Sequence, residues 1–430
     1  MQTYPNRQKV AVVGAGISGL AAAWALRQAH DVSLFEAAAY AGGHTNTVDV
    51  QLEGRQVAVD TGFLVFNDRT YPNLLGLFAE LGVASFASEM SFGVSLEDGA
   101  LEWAGSNLDS VFAQRKNLIS PRFWGMLSDI LRFNRCAAGN LALSQQSQIT
   151  LAQLLQQGGY GAAFADDYLI PMAAAIWSSS AQDILQFPAS TFLRFCMNHA
   201  LLQINDRPQW RTVQGGGREY VKKILAQLSD VRLNTPVQAI SRRGAQAVVR
   251  SKGQDELFDA VILATHAPDS LALLQDCSAQ ERQILSRQRY QDNLAVLHTD
   301  ANLMPKRRKV WSAWNYLASR KQNSARAVCV TYWLNRLQNL PLQTPVLVSL
   351  NPEREVAPDK ILAQFHYAHP VFDQAALNAQ QDLTQIQGKN RIWFAGAWQG
   401  YGFHEDGLQS GLRAAADFTA LPAWASLRRL

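Results

Sequence analysis

The sequence predicts an α/β fold: a parallel sheet, discontinuous in sequence, with an inserted α+β domain. Three observations carry this. Residues 9–36 read as strand, glycine-rich turn, helix and strand. The same style returns near the C-terminus, at residues 391–418. Between them lie one long stretch with helical spacing and another of short strand-like runs. A chain of 430 residues has room for two or three domains of about 100–200 residues each.

Taken in order, Val10-Ala11-Val12-Val13 is a continuous apolar run, the mark of a strand covered on both faces. Residues 17–28 are Ala-rich and helical, and residues 31–35 form the next strand. Leu74, Leu75, Phe78 and Leu81 have the spacing of a helix over 72–81. Residues 92–96 and 101–103 flank Asp98-Gly99 as a hairpin. Residues 108–203 read as mostly helical, interrupted by Pro121, Gly158-Gly159, Pro171 and Pro188. Gly215-Gly216-Gly217 opens a short helix over 220–228. Strands follow at 231–233, 237–241, 245–250 and 261–264. An antiparallel sheet is expected from residues 291–299, 309–316, 327–334 and 364–369. A final strand at 391–395 leads through a Gly-rich loop to a helix over 407–418.

Composition narrows the function. Charged residues make up 17% of the chain, below the roughly 25% usual for soluble domains, and 11 Trp are present. That suits a large apolar interior or an apolar cavity. The net charge of +4 is too weak for a nucleic-acid partner. Cys136, Cys196, Cys277 and Cys329 show neither paired nor zinc spacing, so reduced thiols and no metal are expected. The start of the chain has the look of a signal peptide, but its glycine spacing and the strand that follows argue against one. No stretch reaches about 18 apolar residues without charge, so no transmembrane helix is expected.

Gly14-Ala15-Gly16-Ile17-Ser18-Gly19 is a G-x-G-x-x-G turn between a strand and a helix, and Glu36 ends the next strand. This is a dinucleotide site. Gly14 permits the turn, Gly16 lets backbone approach a pyrophosphate, and Gly19 lets helix and sheet pack closely. The helix N-terminus offers free N–H groups to the phosphates, and Glu36 offers a carboxylate to a ribose. No second such turn follows a strand, so a separate nicotinamide domain is not expected.

Further along, Glu36-Ala37 is followed by Gly42-Gly43-His44-Thr45. From these residues on, the chain resembles the FAD-binding fold of flavin-containing amine oxidases, phytoene desaturases and protoporphyrinogen oxidases. With Gly402-Phe403-His404-Glu405-Asp406-Gly407 it also resembles a bacterial amine-oxidase-like subgroup. In that family an acid is followed by Gly-Gly-Arg, and here His44 stands where Arg is usual. Asp60-Thr61-Gly62-Phe63 resembles the segment entering the flavin pocket. Val237 resembles the adenine-contacting position, and Ala264-Thr265 the strand end facing FAD. Gly396-Ala397 and Asp406-Gly407-Leu408 resemble the C-terminal flavin motif. There Ala397 and Trp398 replace the acid the family usually carries.

The resemblance implies a Rossmann-type FAD-binding domain at residues 1–70, 208–275 and 385–422. It implies a substrate domain at residues 71–207 and 276–384, and one non-covalent FAD. The expected activity is hydride transfer between flavin N5 and an apolar substrate; the subgroup's association with modified fatty acids implies the acyl chain of a lipid. The alternatives are a true amine oxidase and a non-enzymatic binding protein on the same fold. The electron acceptor stays open. His404 is the candidate catalytic residue, moving a proton near neutral pH, with capping of the helix as its other reading. For Glu405 and Asp406 the capping reading is favoured. Phe187, Phe192, Phe195, Met197, Trp177, Trp311, Trp314, Tyr316, Tyr332 and Trp333 are candidate walls of an apolar tunnel or ordinary core. A cytoplasmic protein with peripheral membrane contact is expected. The contact would use Lys306-Arg307-Arg308-Lys309 with Trp311, and Trp424 with Leu427, Arg428 and Arg429.

Overall fold

A computed structural model describes residues 7–177, 180–203, 206–319 and 329–427. Arg428 and Arg429 lie outside the described residues, as do residues 327–328 of one expected strand. Five strands form a parallel sheet in the spatial order Asp230–Arg232, Asp31–Phe35, Lys9–Val13, Ala260–Leu263, Ile392–Phe394. The chain winds outward in both directions from Lys9–Val13. That reversal opens a crevice at the carboxyl ends of the strands, the place where such sheets bind ligands.

The sheet is covered on both faces, which is why its strands are apolar throughout. On one face Leu20, Ala21, Trp24, Leu408 and Leu412 pack with Ile262 in a shared core. These come from helices Ile17–Leu26 and His404–Ala415. Helix Pro72–Leu81 also buries Leu74, Leu77 and Phe78 in this cluster, although the expected domain boundary falls before it. On the other face Val13, Phe35 and Leu263 pack against Ile240, Val249 and Phe258 of a three-stranded antiparallel sheet.

The inserted domain pairs a helical layer with a seven-stranded sheet. The hairpin Phe92–Leu96 and Leu101–Ala104 forms one edge of that sheet, and Ile361–Val371 forms the other. The sheet is not wholly antiparallel: Trp314–Ala318 runs parallel to Phe92–Leu96. The strand expected at 309–316 starts only at Trp314, because Arg308–Val310 is a single tight turn. Asn315 Oδ1 accepts from Ser312 N at 2.9 Å, a local side-chain bond that competes with strand pairing. The first helix stops at Leu26 rather than 28. Several strands escaped the sequence reading. Thr47–Leu52 with Arg55–Asp60 forms a hairpin turned by Glu53-Gly54, and Gln254–Phe258 and Leu347–Leu350 complete their sheets.

Candidate functional site

Gly14 follows the strand Lys9–Val13 at φ +102, a backbone conformation that suits glycine. A Cβ there would lie 2.7 Å from Ala264 O, and one on Gly19 would lie 1.8 Å from Gly14 O. These two glycines therefore serve packing. Gly16 differs: nothing lies within 4 Å of its Cβ position, and the residue lines a cavity. Helix Ile17–Leu26 begins there with no side-chain cap and no acid in its first turn. Its N-terminal N–H groups thus face the cavity in need of an anion. Gly42 N donates to Ala15 O at 2.8 Å, which lays the Gly42-Gly43 loop along Gly16. Glu36 accepts from Ala15 N at 2.8 Å and Ala38 N at 2.9 Å, so the ribose-site carboxylate is held by the turn it serves.

The cavity measures about 1190 Å³ and runs without a break from this cradle into the inserted domain. Gly14, Gly16, Ile17, Ser18, Glu36, Ala37, Gly42, Gly43, His44, Gly62, Phe63, Val237, Ala264, Thr265, Gly396 and Ala397 all line it. Ala15, Gly19, Thr45, Asp406, Gly407 and Leu408 are not among its lining residues. A Cβ on Gly407 would meet Ile17 Cγ2 at 2.7 Å, so this glycine lets the C-terminal helix dock on the first one. Leu408 is fully buried in the shared core. Asp406 accepts from Tyr401 N at 3.1 Å and Phe403 N at 3.0 Å, fixing the loop before its helix. Burial pushes its carboxyl up to about 7. Glu405 accepts from Asn73 N and Leu74 N, both at 3.0 Å, and so caps helix Pro72–Leu81 across the two segments.

His404 stacks on Phe63 with ring centroids 3.7 Å apart. Its Nε2 lies 2.8 Å from Tyr220 Oη and 3.2 Å from Thr45 Oγ1, which bond each other at 2.6 Å. Burial holds the imidazole down to about 3. The ring lines the cavity, burial favours its neutral form, and its Nε2 is engaged. Thr45 belongs to this network rather than to the cradle wall. Beneath it, Asp60 accepts from Gly217 N at 2.9 Å, Thr47 Oγ1 at 2.5 Å and Gln338 Nε2 at 2.9 Å. The glycine triplet lets this happen, since a Cβ on Gly217 would lie 2.6 Å from Thr45 Cγ2.

A histidine cluster escaped the sequence reading. His44 sits 5.0 Å from Tyr367, 5.2 Å from His369 and 6.5 Å from His266, measured between ring centroids. His44 Nε2 is buried without a hydrogen-bond partner. Burial, reinforced by His369 and His266, holds the ring well below its ordinary value. The only hint in the sequence was that His44 stands where a permanent cation is usual. The open Gly16 position, the uncapped helix and this unpartnered nitrogen together fit a dinucleotide phosphate.

The inner chamber is lined by Tyr168, Met172, Ile176, Trp177, Phe195, Trp314 and Tyr332. Of the expected tunnel residues, Trp177, Phe195, Trp314 and Tyr332 reach it. Phe187, Phe192 and Tyr316 are buried core. Met197, Trp311 and Trp333 do not line it. Glu89, Gly105, Ser106, Arg207 and Gln209 line the cavity and are also exposed, so they mark its outer mouth.

A family model described as flavin-containing amine oxidoreductase matches residues 17–298. None of the curated proteins matches the chain in sequence. Among solved structures, a CLA-producing fatty acid isomerase from P. acnes shares 15% identity at a TM-score of 0.68. The match covers 97% of this chain and 100% of that one. Putrescine oxidase bound to putrescine shares 18% identity at 0.67, over 96% and 99% of the two chains. Cyclohexylamine oxidase from Brevibacterium oxydans shares 16% at 0.66, over 96% and 99%. At such identities these likenesses describe the fold.

Proposed function

The chain belongs to the flavin-containing amine oxidoreductase family and is an FAD-dependent oxidoreductase, and on that premise we propose that its substrate is an acyl lipid. The observation that carries this reading is the apolar inner chamber continuous with the cofactor cradle. Tyr168, Met172, Ile176 and Trp177 offer a methylene chain contact but no charge. The carboxylates that line the cavity are Glu36 in the cradle and Glu89 and Asp269 near its openings. None of these stands among the aromatic residues of the chamber, where an ammonium would need a partner. The fatty acid isomerase among the fold neighbours supports the same substrate class.

When bound, FAD supplies a two-electron hydride acceptor and donor at N5. The chain's own residues bind, orient and exclude water. Gly16, the first turn of helix Ile17–Leu26 and the Gly42-Gly43 loop would hold the pyrophosphate, and Glu36 the ribose. Val237 would face the adenine, and Gly396, Ala397 and Trp398 the flavin end. Among the described residues of the chamber, burial drops His199 to about 4 and pushes the Tyr168 hydroxyl up. His404 is a fixed neutral ring. Such a wall suits transfer of hydride from or to carbon without a strong protein base. The setting we propose is the cytoplasmic face of a membrane, where acyl chains reside.

Anaerobic mixing with a panel of fatty acids and a panel of amines tests this. Flavin bleaching, or a shifted double bond in the recovered acid, is expected from the first panel only. Bleaching by amines alone would establish a true amine oxidase.

A further inference from the structure

Residues 108–124 form a surface that the sequence reading did not single out. Ile119 is 86% exposed, Leu108 78%, Trp124 50% and Leu118 47%. They lie on one short stretch of chain. The Phe112 and Trp124 rings lie 5.5 Å apart, linking the short helix Leu108–Val111 to the start of helix Pro121–Ser147. Trp124 Nε1 donates to Leu118 O at 2.9 Å. Large apolar side chains held outward in a contiguous group mark an interaction site.

The charge around the patch is one-sided. Between residues 103 and 128 Asp109 is the single carboxylate, against Arg115 and Lys116, while Arg122 is paired with Asp167. Asp109 is already shared by Arg115, at 2.5 Å, and Lys309, at 2.9 Å. Lys116 Nζ is held by Ala100 O at 2.8 Å. A carbonyl leaves its charge uncompensated. The basic run expected to touch lipid contributes less than its sequence suggests. Arg307 is bound to the buried Glu102, Lys306 to Asp98, and Arg308 lies over the Trp311 ring. Trp424 is likewise committed, donating to Glu80 Oε2 at 2.6 Å and stacking near Trp24. Lys306, Arg307, Arg308 and Trp424 thus have partners within the chain.

We infer that Leu108, Leu118, Ile119 and Trp124, with Arg115, Lys116 and Lys309, form a docking surface for an anionic lipid bilayer. Apolar side chains enter the headgroup boundary while the cations meet lipid phosphates. The surface adjoins the cavity mouth. Gly105 and Ser106 line the cavity, are exposed, and precede Leu108 by three and two residues. Nothing lies within 4 Å of the Cβ position of Gly105. Trp103 forms the wall behind them, with its Nε1 donating to Asp167 O at 3.3 Å, and Asp167 binds Arg122 at 2.8 Å. A docked chain therefore presents this mouth at the membrane. That entry route rests on the acyl-lipid reading; the docking surface does not.

The test is co-sedimentation of the FAD-loaded protein with vesicles of phosphatidylcholine, with and without phosphatidylglycerol. Binding is expected with the anionic lipid and should weaken with salt. Ile119→Asp with Trp124→Ser should reduce it roughly tenfold or more, and Lys116→Glu with Lys309→Glu should reduce it similarly and remove its salt dependence. Ile119→Asp alone changes a side chain with almost no protein contact, so it keeps the test clear of folding defects. Bound flavin should match the parent in every variant, and melting temperature should match it in Ile119→Asp. Parent protein that ignores anionic vesicles, or an apolar variant that binds like the parent, overturns the proposal. So does a parent dimer in sedimentation velocity that Ile119→Asp converts to monomer, because the patch would then be covered by a second copy. Vesicle binding combined with bleaching by amines alone would sink the acyl reading and leave the docking surface standing.

Discussion

Around Gly16 the cavity wall is backbone, whereas around Trp177 it is side chain. In the cradle, a turn, a helix end and two glycine pairs do the work, and a single added methyl group would collide or block. In the chamber, rings from helices and strands far apart in sequence meet at van der Waals distance. Trp177 lies 4.7 Å from Phe195 and 5.0 Å from Phe187 between centroids. The first region is specified by where atoms are missing. The second is specified by how many atoms arrive from elsewhere. The cradle is thus fixed by local rules, and the chamber can change its contents without disturbing the cofactor.

The sharpest break of that comparison lies within the glycine motif itself. Gly19→Ala places a methyl group 1.8 Å from Gly14 O, so ~3 kcal/mol or more of stability should be lost, with the flavin. Gly16→Ala has open space for its methyl group, so the cofactor-free protein should melt as the parent does while FAD binding weakens. Thermal melts of flavin-free protein and flavin titrations separate the two. Equal melting losses would end the distinction between packing and phosphate glycines.

In the chamber, Ile176→Trp fills space that the cavity already provides. Turnover of long acyl substrates should fall roughly 100-fold with flavin content unchanged, a loss at the upper end of what pocket contacts discriminate. Unchanged turnover would remove Ile176 from the substrate path.

Asp60 ties Thr47 and Gly217 to Gln338, and pH reports on it. Burial raises its carboxyl to about 6, and the hydrogen bonds from Thr47, Gly217 and Gln338 oppose that shift. The folded chain therefore favours the protonated acid. That contribution is full below the unfolded value near 4 and is lost as pH rises through about 6. Relative to Asp60→Asn, the parent should lose about 3 kcal/mol over this window, measured by denaturant melts at each pH. A difference that does not vary with pH would show that folding leaves the Asp60 carboxyl at its unfolded value.

His44 gives the smallest effect. Its ring is neutral in the cofactor-free protein because burial and the neighbouring His369 and His266 lower it. Tyr367, Tyr40, His404 and Asp60 surround the cluster, and Asp269 and Asp292 act on His266. A bound pyrophosphate would favour the protonated ring, so FAD affinity should fall as pH rises through the bound-state value. The change should be about tenfold, and His44→Gln should flatten it. Fluorescence titration of FAD against pH measures both. A parent profile that is already flat would leave phosphate binding to backbone N–H groups alone.

The sequence by itself determined the cradle and the sheet beneath it. Gly14, Gly16 and Gly19 at their spacing, the apolar run before them and Glu36 after them admit few other arrangements, because backbone geometry acts over a few residues. The hairpin at Asp98-Gly99 and helix Pro72–Leu81 were legible for the same reason. Tertiary structure alone decided the rest. It brought His44, His266 and His369 together from three distant segments, and it placed Tyr220 against His404. It turned Phe192 and Tyr316 into core while Phe195 and Tyr332 face the cavity. It also committed Trp424 and Arg307 to internal partners and left Ile119 and Trp124 outside. Periodicity shows that a side chain is apolar and which face it shares, but what covers that face is set by contacts made across hundreds of residues, which no local pattern encodes.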